Sequence, residues 1–301
     1  MRALSLLSRL ALGTAAFAML AINASGQSLI RDTEIEEILR EFSEPLISAA
    51  GLNKESVDIY IVNDPTLNAF VTRGQKVFFH TGIITEFDSP NQLKGVMAHE
   101  IGRISSGHLA RSSDVGRSAY GTMIVAAAVG IAAMLAGEGG AGAAILGSSQ
   151  QFASLDYLKY SRINESSADQ AGAQFLEITD QSGEGLIEFF EKFRYQEVMS
   201  QSGRFPYFRS HPLSSSRIDS LREVVQESPA FGKKDTDQEI HKLTIAQAKL
   251  RGFIDPPQTT FINYPPEDIS EAARIARSVA HFRNADLVNA LREIESLIRE
   301  F

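Results

Sequence analysis

Two adjacent residues, His99 and Glu100, open a five-residue pattern that could hydrolyse a peptide bond. In H-E-x-x-H on a helix the two histidines lie one turn apart and bind zinc, while the glutamate between them activates the metal-bound water. Here the fifth position is Arg103. A guanidinium stays protonated and has only donors, so it cannot ligate. At ~5 Å from a divalent ion it would oppose binding by about 7 kcal/mol at an effective dielectric near ~20. Arg103 is therefore expected to pair with Glu165, Asp169 or Glu100, its charge filling the metal's place. Glu165 and Asp169 are one helical turn apart and share a face. Acidic pairs on helices are usually solvated, but the nearby His-Glu makes these two carboxylates candidates for the same site. His108 lies nine residues beyond His99, about 180° round an ideal helix, and faces away unless Gly107 breaks the helix. His80, His241 and His281 stand in no motif and are expected to be structural or superficial.

The elements that must position these residues follow from periodicity. Ser89 with Gln92 three residues on forms a capping-box signature, Pro90 suits a first helical position, and Leu93, Val96, Met97 and Ile104 recur at helical spacing. The motif therefore sits on a buried helix. Upstream, residues 32–50 form an amphipathic helix, 57–62 a strand, and 69–72 with 76–80 a hairpin around 73–75. Such a hairpin could hold an extended substrate by backbone pairing or be purely structural. A second long helix runs from Ser154 and carries Glu165 and Asp169; further helices cover 184–199, 215–225 and 235–253. Two Pro-Pro pairs mark 255–266 as a linker. Beyond it, 267–282 and 286–301 form a helical hairpin resembling one tetratricopeptide-type repeat, which cannot bury its own faces. The predicted fold class is α+β, mainly α: a two-helix zincin-type core beside a small β-sheet, with an appended helical hairpin. The predicted domains are a signal peptide at 1–26, a peptidase domain at 27–254, the linker at 255–266 and the hairpin at 267–301.

Composition narrows the function. The net charge is −8 with no basic run, which leaves no phosphate-neutralising face, so nucleic acid is excluded as a partner. The absence of cysteine removes disulfides, thiolate metal sites and thiol catalysis. Arg2 and Arg9, the apolar stretch from Leu10 to Leu20, and Ala24-Ser25-Gly26 read as a cleaved export signal. Residues 119–147 are rich in alanine and glycine, but the uninterrupted apolar run, Met123–Ala136, is too short to span a bilayer. That segment fits a lid or a hairpin on a membrane surface better than a span, with plain core as the remaining alternative.

The ordered set Asn68-Ala69-Phe70, His99-Glu100, Gly107-His108, Arg162-x-x-Glu165-x-x-Ala168-Asp169 and His211-Pro212-x-x-x-x-Arg217 closely resembles the metallopeptidase family of HtpX and the CAAX prenyl proteases, nearest its exported, BepA-like branch. The resemblance covers roughly residues 32–225 and implies one zinc ion. It implies that His99 and Glu165 ligate, that Glu100 is the general base, and that Asp169 orients a ligand histidine. It further implies that His211 and Arg217 contact substrate or transition state near the metal. Because that loop lies near the metal in the family, His211 is the best candidate to replace the ligand missing at Arg103. The function implied is a zinc metalloendopeptidase of the bacterial envelope, in the periplasm or at its membrane face, acting on unfolded or misassembled envelope proteins. The alternative is a catalytically inactive pseudopeptidase that holds such clients.

Overall fold

The computed structural model describes residues 28–107, 129, 162–199, 211 and 214–300. The export signal at 1–26, the segment 119–147 apart from Val129, and His108 lie outside them. Among the described residues no helix is long and apolar enough to cross a membrane.

Local sequence explains most of the element boundaries. In α1 (Thr33–Ala49) the Asp32 side chain accepts from the Ile35 N–H, and Ile35, Ile38, Leu39, Phe42, Leu46 and Ile47 form one buried stripe. The strands are β1 (Leu29–Ile30), β2 (Asp58–Val62), β3 (Ala69–Thr72) and β4 (Lys76–His80), in the spatial order β1-β2-β4-β3. β3 and β4 form the predicted antiparallel hairpin, whereas β2 runs parallel to β4. Alternation sends Ile61, Val71, Val77 and Phe79 into the core. On the opposite face Tyr60, Phe78 and Phe70 stack with ring centroids 5.0 Å apart.

After the short α2 (Thr81–Glu86) comes the motif helix α3 (Pro90–Ser105), capped by Ser89 Oγ, which accepts from the Gln92 N–H. The predicted capping box is only half formed. Gln92 is buried, and its Oε1 accepts from the Asp88 N–H at 3.1 Å, one residue before the cap, while its amide faces Asp88 and Glu188. Gly107, at φ +64°, follows the end of α3. Next come a helix over 162–178 (α4), then α5 (Glu184–Met199), α6 (Ser215–Glu227) and α7 (Asp237–Ile254). Lys94 of α3 is buried and reaches Asp235 and Glu239, each at 2.8 Å, anchoring α3 to the start of α7.

The predicted linker includes a helix. Pro257–Asn263 forms α8, because a proline with its preset φ can begin a helix as readily as interrupt one. Thr260 of α8 is buried and its hydroxyl donates to the Arg251 carbonyl. The hairpin is α9 (Glu271–Arg283) and α10 (Leu287–Glu300). It docks on α7, which serves two cores: Leu243, Ala246 and Leu250 join the main core, while Ile245 and Ala248 meet Ala272 and Ala276 of α9. A Cβ on Gly252 would come within 2.9 Å of the Ala276 carbonyl, so the two helices touch through backbone.

Candidate metal centre

Two helices crossing through glycine bring the predicted residues together. A Cβ on Gly102 of α3 would lie 2.8 Å from the Ala168 carbonyl, and one on Gly172 of α4 would lie 3.0 Å from the His99 N–H. At that separation, side chains one turn apart on each helix face one another. His99 Nδ1 donates to Asp169 Oδ1 at 2.8 Å, and His99 Nε2 lies 3.4 Å from Glu165 Oε2. His211 reaches the same point from the loop before α6: its Nδ1 is 2.9 Å from Glu165 Oε2 and 3.2 Å from His99 Nε2. All of these side chains, and Glu100, are buried.

His99 Nε2, Glu165 Oε2 and His211 Nδ1 thus form a triangle with edges of 2.9, 3.2 and 3.4 Å. A tetrahedral zinc with bonds of about 2.0–2.1 Å separates its ligand atoms by about 3.3 Å, so this donor set has the size and chemistry of a zinc site. His99, Glu165 and His211 are the residues that could hold a metal ion among those described. Beside them, both carboxylate oxygens of Glu100 are buried without a hydrogen bond, the arrangement a general base needs before a water arrives.

Charge is arranged to match. Burial pushes the His99 imidazole pKa down, but the Asp169 and Glu165 carboxylates outweigh it and hold it at about 9. Burial likewise opposes ionisation of Glu165, yet His211 and His99 keep that carboxyl well below the usual range. Asp169 is also lowered: burial is outweighed by His99 and Arg217.

Arg103 and Arg217 bring two guanidinium groups to this cluster. Arg217 donates through Nε and Nη2 to the two oxygens of Asp169, both at 2.8 Å, and its Nη1 lies 3.4 Å from Glu165. Its guanidinium is buried, 5.5 Å from the Phe190 ring centroid. Arg103 is 19% exposed, with Nη1 3.6 Å from Glu100 Oε2 and Nε 3.8 Å from Glu165 Oε1. These are two of the three partners predicted for it; its shortest contact is one the sequence did not reveal, Nη1 to His211 Nε2 at 3.1 Å. Phe190 also escaped sequence reading. It lies under Arg217 and edge-on to His99, but in sequence it is one apolar residue of an ordinary core helix.

The model of peptidase family M48 matches residues 30–225, the span that contains every residue of this site. The chain belongs to peptidase family M48. It is 30% identical over 213 residues to the beta-barrel assembly-enhancing protease of Escherichia coli, covering 67% of this chain and 43% of that protein. It is 27% identical over 198 residues to the mitochondrial metalloendopeptidase OMA1 of Schizosaccharomyces pombe (65% and 54%), and 25% identical over 179 residues to the metalloprotease LoiP of Escherichia coli (58% and 64%). The chain spans less than half the length of the beta-barrel assembly-enhancing proteases it matches.

Proposed function

We propose that the chain is a zinc-dependent metalloendopeptidase of envelope protein quality control in which His211 takes the ligand position vacated at Arg103. The observation that carries this is the donor triangle of His99, Glu165 and His211 at tetrahedral spacing beside the unbonded Glu100 carboxylate. His99, Glu165 and His211 hold the metal, which when bound supplies a Lewis acid and an activated water. Asp169 accepts the His99 Nδ1 proton and so keeps Nε2 turned to the metal; Arg217 holds Asp169 in register, a positioning role. Glu100 takes up the proton of the attacking water. Protein substrates are supported by the name of the Escherichia coli relative, a beta-barrel assembly-enhancing protease; that they are unfolded or misassembled envelope proteins is part of this proposal. A periplasmic location is supported by the export pattern of residues 1–26, and contact with a membrane surface by the composition of 119–147.

A second reading is favoured by Arg103, whose guanidinium touches His211, Glu100 and Glu165 at once. It is a pseudopeptidase that binds clients without cleaving them. Elemental analysis together with cleavage of a casein-type substrate decides between them. The peptidase reading expects one zinc per chain and cleavage that disappears in Glu100→Gln while the zinc stays. A metal-poor protein that retains unfolded polypeptide uncut would establish the second.

A further inference from the structure

We infer that the helical hairpin of α9 and α10 pairs two copies of this chain, α10 of each lying antiparallel in an apolar groove between α9 and α10 of the other. The groove has a volume of about 440 Å³. Phe253 at the end of α7 and Val279 and Phe282 of α9 form one wall, and Leu287, Leu291 and Ile294 of α10 the other. These side chains lie open although α10 has already packed on α9 through Ala290, which is buried, and Glu293, which accepts from Arg277. What remains on α10 is a narrow stripe. Leu287, Leu291, Ile294 and Ile298 recur at intervals of four, three and four residues and fall within about 60° of one another round an ideal helix. A stripe that strict is the seam of a coiled coil, whereas a helix serving one globular core carries a broader one. All four are exposed, from 41% at Ile294 to 78% at Ile298.

A second copy is the occupant this face fits, because a two-fold interface has to complement itself. The same patch carries both halves of a contact: the groove, and in α10 an apolar ridge to fill it. With Phe253 and Phe282, the open apolar side chains offer roughly 600 Å² per copy, the upper end of what a monomer exposes in one patch and most of the ~800 Å² that each side of a stable dimer buries. The charges along one edge of the stripe select the antiparallel arrangement. Arg292, Glu295 and Arg299 are exposed there. The two arginines donate only to neighbours on α10, and among the described residues none of the three has an ion-pair partner. Setting Leu291 against Ile294 of the second copy, and Leu287 against Ile298, brings Glu295 beside Arg292 of that copy, and the symmetry repeats the pair. A parallel pair would carry the two charged edges to opposite sides of the seam, where they do not meet.

Analytical ultracentrifugation of the full chain over a range of concentrations tests this. A dimer with a Kd in the micromolar range or below is expected. Leu291→Glu, at a side chain already open to solvent, should leave the circular dichroism unchanged and raise Kd at least about 100-fold, because symmetry buries the new charge twice. Arg292→Glu alone and Glu295→Arg alone should each raise Kd about 2–10-fold, and the double exchange should restore it. A chain that stays monomeric at every concentration, or a dimer indifferent to Leu291→Glu, would overturn the inference. A dimer weakened by Leu291→Glu but indifferent to the charge exchanges would overturn the antiparallel arrangement. A monomer that floats with vesicles of phosphatidylethanolamine and phosphatidylglycerol, and no longer does so in Leu291→Glu, would give the face to a membrane surface and overturn the pairing as well.

Discussion

Asp169 is the residue through which the site and the stability of the fold are joined, and Asp169→Asn measures the link. The carboxylate is buried and accepts three hydrogen bonds at 2.8 Å, one from His99 and two from Arg217. Asparagine has the same shape but no charge and one acceptor oxygen, so an N–H of Arg217 or His99 would face an amide N–H. Breaking a buried pair by removing one partner costs about 3–5 kcal/mol. Arg217 keeps its contact with Glu165 at 3.4 Å, which places the expected loss near the lower bound, about 3 kcal/mol. At roughly 2–4 °C per kcal/mol for a domain of this size, Tm should fall by about 6–12 °C. Urea titration with chelator present, so that metal does not add its own stabilisation, gives the free energy. Arg217→Met should cost a similar amount, since it leaves Asp169 charged and buried. The double variant leaves neither charge and should be no less stable than either single change, a coupling of at least about 3 kcal/mol. Single losses below about 1 kcal/mol, or losses that add, would refute the view that the pair is a buried, mutually dependent clamp.

Two further outcomes follow from the same geometry. Gly102→Ala places a methyl 2.8 Å from the Ala168 carbonyl, so α3 and α4 must separate by a few tenths of an ångström. The fold should survive at a cost of about 1–3 kcal/mol, while zinc affinity falls because His99 and Glu165 come from opposite sides of that crossing; equal affinity by chelator competition would contradict this. Stability should also follow pH. The His99 pKa is raised to about 9 in the fold, so its contribution is complete below its ordinary value of ~6.5 and is lost as pH rises through about 9. Asp169 is lowered, so its contribution is present above the ordinary carboxylate value and lost as pH falls into the acid range. Zinc must displace the His99 Nε2 proton, so the gap in melting temperature between zinc-loaded and metal-free protein should widen from pH 6.5 to 9. A gap that narrows over that range would contradict the placement of Nε2 in the donor triangle.

What could be read from sequence depended on how far apart the partners stand. His99 with Glu100, and Glu165 with Asp169, are visible because helical spacing alone puts each pair on its helix, and Ser89 announces the start of α3 by its own side chain. The hairpin of β3 and β4 is equally local. The Arg217 clamp on Asp169 spans 48 residues, and the approach of His211 to His99 spans 112; no periodicity records such distances. Family analogy supplies proximity for these residues but not their partners: that Arg217 bonds both oxygens of Asp169 is read only from the structure. The helix within the linker is hidden for a different reason. Pro256-Pro257 reads as a break, although a proline opening a helix obeys the same constraint on φ. The deepest gap concerns Arg103. Counted along the motif, its substitution leaves two residues that could hold a metal; counted in space there are three, because His211, from another part of the chain, stands at the third corner. The missing histidine is thus not by itself what decides metal binding. What stands against the metal is the charge of the Arg103 guanidinium, which lies against His211, Glu100 and Glu165 together.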